Sequence, residues 1–121
     1  MLRVIATILA AVTALAHIGL GTFDTLKPVM ANPDLAPMVR GTIAACWHFL
    51  GLFLAASAYV FWVKRHPATN MFALLWIAFG VIFLIVGATT EGILSLPQWI
   101  ALIPTGVLGC MALNKEHLES E

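Results

Sequence analysis

Four apolar runs, each close to the length of a bilayer crossing, constrain this chain more than anything else in it. They cover residues 2–21, 39–63, 71–89 and 96–113. A helix of about 20 mostly apolar residues, rising ~1.5 Å per residue, spans a hydrocarbon core of ~30 Å. Period-2 alternation is absent and each run is too long for a barrel strand. The expectation is an all-α, four-helix transmembrane bundle forming a single domain over residues 1–121. Composition agrees: 61% of residues are hydrophobic and 10% are charged. A soluble domain of this size has too much surface for its volume to hide that apolar content, whereas lipid accommodates it. Net charge is zero, which gives no basis for nucleic-acid binding. Cys46 and Cys110 lie inside apolar runs without CxxC spacing and read as small buried side chains, not a metal knot or disulfide.

The connections carry helix punctuation. Arg3 ahead of an apolar stretch, with Ala14-Leu15-Ala16 following, has the outline of a signal peptide. Apolar character continues through Ile18 and Leu20, so a retained first helix is the better expectation. Ser95 and Gln98 fit a capping box opening the fourth helix, with Leu94 and Trp99 as its hydrophobic staple. Residues 66–70 read as a tight turn, with Asn70 as cap of the third helix. Residues 22–38 hold Pro28, Pro33 and Pro37 and should be extended, or contain a short helix. Pro104 inside the fourth run should kink it. Arg3, Lys64, Arg65 and Lys115 fall on one side of the membrane, Lys27 and Arg40 on the other. The positive-inside rule then places both termini in the cytoplasm, N-in and C-in. The charged tail, residues 114–121, is expected to fray.

Ionisable groups inside apolar runs need a partner or a wet cavity. Three stand out, His17, His48 and Glu91, with Asp24 and Arg40 near the same outer boundary. His17 shares a helical stripe with Ala6, Ala10, Thr13 and Gly21; His48 shares one with Gly41, Ala44, Ala45, Gly51 and Ala55. Small residues let helices approach closely, so both imidazoles are expected to face other helices, while Trp47, Leu50 and Leu54 suit lipid. Glu91 extends the stripe of Gly80 and Gly87 on the third helix. His48 sits ~13 Å inside its helix end and His17 ~6 Å inside its own. The expectation is a ligand-binding cluster of His17, His48 and Glu91 in the outer half of the bundle, rimmed by Arg40 and Asp24, with the second helix central.

The bland reading stands beside this one. An intramembrane histidine can hydrogen-bond a carbonyl and glue helices together, and Glu91 can sit in interfacial water. Asp24 then is a solvated loop residue, while Arg40 snorkels to headgroups or pairs with Asp24, Asp34 or a lipid phosphate. Trp62 and Trp99 read as interfacial belt residues, and Trp47 and Trp76 as packing. Sharper chemistry is of three kinds: a polar ligand or proton-coupled site, since histidine titrates near neutrality; a Zn or Fe(II) site with His17, His48 and Glu91 as ligands; or haem held axially by the two histidines. No HxxxH, ExxH or CxxCH spacing supports the last two. Transport would require a homo-oligomer, because four helices enclose little volume. No nucleophile elbow or P-loop occurs.

The pattern His17-Ile18-Gly19-Leu20-Gly21, a proline-containing loop, Arg40, then Trp47-His48-Phe49-Leu50-Gly51 resembles that of small, functionally unassigned four-helix membrane proteins of bacteria. The resemblance covers the first half of the chain and implies a bacterial inner-membrane location. Size and topology are also broadly similar to DoxX-like proteins. The leading expectation is a membrane-embedded binding or accessory protein whose cluster holds a small ligand or lipid headgroup. The rival is a small membrane enzyme or redox protein using the same residues on a metal or haem.

Overall fold

A computed structural model describes residues 1–64, 66–90 and 92–118, with Glu116 and His117 described by backbone alone. All its regular structure is helical: α1 (Leu2–Ala16), a π-helical segment (His17–Leu26), α2 (Lys27–Ala31), α3 (Pro37–Trp62), α4 (Thr69–Thr89) and α5 (Trp99–Leu118). The first three run on without a break as one helical rod of 30 residues. That rod, α3 and α4 are each long and apolar enough to cross a membrane. Residues Trp99–Lys115 of α5 form a shorter apolar helix. The protein is therefore an all-α bundle of four rods.

The helix at the N-terminus outruns its expected end. Of the loop expected to be extended or to contain a short helix, residues 22–31 are helical, with α2 as its short helix, and the non-helical connection shrinks to residues 32–36. Proline is disfavoured in a helix because it lacks an N–H for the preceding turn. Here Pro28 falls in the first turn of α2, where the hydrogen-bond register changes, and Lys27 N–H still reaches back five residues to Thr22. First-turn positions tolerate proline. Pro37 opens α3 in the same way.

The expected caps are also corrected. α4 starts at Thr69 with Ala68 before it, so Asn70 lies inside the helix. Ser95 donates its hydroxyl to the Gly92 carbonyl at 2.6 Å, and Trp99 is the first residue of α5. α5 runs on through residues 114–118 of the charged tail, and the rest of that tail lies outside the described residues. Gly92 has φ +111°, a backbone shape L side chains avoid, and its N–H closes the end of α4 on the Gly87 carbonyl at 2.8 Å.

α1 lies between α3 and α5, and α5 in turn pairs closely with α4. This corrects the expectation that the second membrane helix, α3, is central. The pairing follows from side-chain size. Ala6, Ala10 and Ala14 form a fully buried stripe on α1. They share one buried cluster with Leu54, Val60 and Phe61 of α3. In lipid, where apolar burial supplies no drive between helices, such close packing holds the bundle together. On α4, Ala73, Gly80 and Gly87 recur every seventh residue and are all buried. A Cβ on Gly80 would come within 2.5 Å of Ile103 Cγ1, so α5 lies directly on that stripe. Arg3 donates to the carbonyl of Trp62, tying the start of α1 to the last turn of α3, where a cation offsets the helix's negative end.

Candidate functional site

The π-helical segment positions His17, whose imidazole turns inward. π geometry is rare and is found mostly as single turns at functional places, so ten consecutive residues of it are unusual. His17 opens the segment and stacks on the Trp47 indole of α3, with ring centroids 4.1 Å apart and planes 20° apart. Its Nε2 lies 3.0 Å from the Trp47 carbonyl oxygen. Trp47 Nε1 donates to Thr22 Oγ1 at 3.3 Å, so the indole holds two points of the segment. Glycines make this closeness feasible: a Cβ on Gly21 would fall 2.8 Å from the Trp47 ring. One on Gly51 would meet Ile18 at 3.2 Å and His17 Cδ2 at 3.6 Å.

Beside this junction the bundle is open. α3 and α4 follow one another in sequence yet meet sparsely. Phe53 bridges them, stacking on Phe72 and meeting Phe79 edge-on, each at 5.2 Å between centroids. The space left is a cleft of about 960 Å³. Its wall is chiefly aromatic and aliphatic: Phe49, Phe53, Phe72, Leu75, Phe79 and Phe83. Its polar side chains are Thr13, His17, Thr25, Trp47 and Gln98. Because α1 starts beside the end of α3, Thr25 late in the first rod and Gln98 just ahead of α5 belong to the end away from the start of α4. The opposite end, at Met71 and Phe72 in the first turns of α4, is apolar. From Phe72 to Phe83 the helix rises ~17 Å. A largely apolar cleft with a few convergent polar groups is the usual form of a ligand site.

The expected cluster is only partly present. His17 faces inward and lines the cleft, half-buried. His48 does not join it. Successive residues of an α-helix point ~100° apart, so with Trp47 turned onto His17 the next side chain leaves the bundle, and His48 is exposed. The assignment of faces on α3 holds only in part: Gly51 is buried and Ala44 half-buried as expected, but Gly41, Ala45 and Ala55 face outward, while Leu54 is 2% exposed and Leu50 half-buried. Glu91 lies outside the described residues. Asp24 is exposed. The Arg40 guanidinium donates to the Met30 carbonyl at 3.1 Å, near the end of α2. This ties the N-terminal turn of α3 to the first rod.

One further expectation changes. Cys46 is exposed and not a buried packing residue, and both cysteines are free thiols. Among the described residues no three His, Cys, Asp or Glu side chains gather as a metal site.

No family model, curated protein or solved structure matches this chain. The reading of the site accordingly rests on its own geometry.

Sequence reasoning passed over Trp47, Thr25 and Gln98 as site residues and the phenylalanines as its walls. A signal was there: Phe72, Phe79 and Phe83 repeat at seven and four on one helix. An exposed His48 makes a sharp prediction. His48→Leu should change unfolding stability by less than about 0.5 kcal/mol in detergent, as surface substitutions do. A loss of several times that would place the imidazole in a contact within the bundle.

Proposed function

We propose that this protein is a multi-pass membrane protein that binds an amphiphilic molecule in the cleft between α3 and α4, head at His17 and chain along the phenylalanine wall. The observation that carries the reading is the shape of that cleft. About 960 Å³ is left open between sequence-adjacent helices, apolar along its length and polar at one end. Volumes of ~300–1,000 Å³ suit ligands of drug or lipid-chain size. A hollow of this size lined by phenylalanine and leucine is costly to leave empty, because its lining atoms forfeit dispersion contacts. An acyl or prenyl chain entering from the bilayer would restore them. The polar end gives such a chain a preferred direction.

The location that fits is a bacterial inner membrane, crossed four times with both termini in the cytoplasm. The excess of Arg3, Lys64, Arg65 and Lys115 over Lys27 and Arg40 supports that orientation. The head-binding end of the cleft then lies in the periplasmic half.

The experiment is photolabelling in lipid nanodiscs with a fatty chain carrying a terminal diazirine. Labels should concentrate on the cleft-lining residues of α3 and α4, among them Phe53, Leu75 and Phe79. Ala101→Trp and Leu75→Trp, which place an indole in the cleft, should each reduce that labelling about tenfold, equivalent to ~1.4 kcal/mol of lost affinity. Uniform labelling of the outward faces, unchanged by either substitution, would overturn the proposal.

A further inference from the structure

We infer that the cleft selects a head group bearing a hydroxyl, which donates its hydrogen to Nδ1 of His17. This rests on the amphiphile-binding reading and adds the chemical class of the head. A carbonyl oxygen only accepts hydrogen bonds. The 3.0 Å contact between His17 Nε2 and the Trp47 carbonyl therefore places the hydrogen on Nε2. In the neutral imidazole with that tautomer, Nδ1 carries a lone pair and is an acceptor.

The ring cannot readily exchange these roles. It is stacked face to face on the Trp47 indole at 4.1 Å, and its Cδ2 lies against Gly51, where an added Cβ would sit 3.6 Å away. The Nε2–Cδ2 edge is thus seated on α3. Nδ1 is the ring atom opposite that edge, so it points away from α3. Among the described residues, Nδ1 has no hydrogen-bond partner. The side chain itself lines the cleft.

An acceptor at the polar end of an apolar cleft discriminates between heads. A hydroxyl satisfies it. An ether or ester oxygen, having no hydrogen to give, leaves the Nδ1 lone pair unmatched and loses its own bond to water, and such a mismatch costs more than the bond is worth. The hydroxyl oxygen in turn needs a donor. Gln98 and Thr25, which line the same cleft, carry an amide N–H and a hydroxyl for it.

The test compares tetradecanol with its methyl ether as competitors of the diazirine-bearing chain, on the full-length protein in nanodiscs. The alcohol should compete about fivefold to tenfold more strongly, the ratio of one net hydrogen bond. His17→Phe keeps an aromatic ring for the Trp47 stack and removes both nitrogens, and it should bring the two competitors within about twofold of each other. Equal competition in the unsubstituted protein overturns the hydroxyl assignment and leaves the cleft reading standing. A preference that survives His17→Phe overturns the role of His17. Failure of both competitors to displace the probe overturns the cleft reading itself.

Discussion

Gly106→Ala should destabilise the bundle by about 2–3 kcal/mol, a large effect for one methyl group. The added Cβ would lie 2.6 Å from the Ala73 carbonyl oxygen, 2.7 Å from Ile77 Cγ1 and 3.0 Å from the Ile77 backbone nitrogen. Two of those three atoms are main chain, so no rotamer change relieves the clash and α5 must move off α4. Such a move also disturbs Gly109, whose would-be Cβ is 3.0 Å from Ala73 Cβ, and Gly80, seated against Ile103. Lipid tails are as apolar as the side chains they would replace, so nothing but packing recovers the loss. Reversible unfolding in mixed detergent micelles measures it. Gly41→Ala is the control, on an exposed helical position with nothing within 4 Å of the new methyl. It should raise stability by ~0.5–1 kcal/mol through helix propensity. If both substitutions behave alike, the close approach of α4 to α5 is not what holds that pair.

Those glycines also show how far the sequence carries. Run length and hydropathy give four helices, because a crossing length of apolar residues is a requirement of the bilayer itself. The small-residue rule then succeeds on one helix and only in part on another. On α1 the stripe of Ala6 and Ala10 is buried as expected. On α3 Gly51 of the stripe is buried and Ala44 half-buried, but Gly41, Ala45 and Ala55 face outward while the Trp47–Leu50–Leu54 side packs. A close helix pair needs a groove on only one partner. Reading each helix alone therefore left the partner's shape out of account and turned His48 the wrong way. The π-helical segment was hidden for a related reason. Prolines at 28, 33 and 37 suggest extended chain under α-helical bookkeeping, but Pro28 is harmless where the hydrogen-bond ladder changes register. The cleft itself arises from α3 and α4 failing to pack on each other, a relation between helices that no single run displays.

Trp47→Ala should have the other large effect, about 3 kcal/mol, in the range seen when an aromatic side chain is truncated in a packed site. The indole stacks on His17, donates to Thr22 and fills the space left by Gly21, so its removal strips three supports from one ten-residue segment. A π-helix spreads its backbone more loosely than an α-helix and is seldom sustained without such support. The loss should therefore be concentrated at one place. Amide exchange across His17–Leu26 should quicken by about a hundredfold, the equivalent of ~2.7 kcal/mol of local opening. The amides of α4 and α5, which pack on each other, should keep their protection. Trp47→Phe separates the contributions: it retains a ring to stack on His17 while losing the bond to Thr22, and should recover most of the protection. Faster exchange spread evenly over all helices would instead mean that Trp47 serves general packing. The segment would then hold its shape, and His17 its orientation towards the cleft, without the indole.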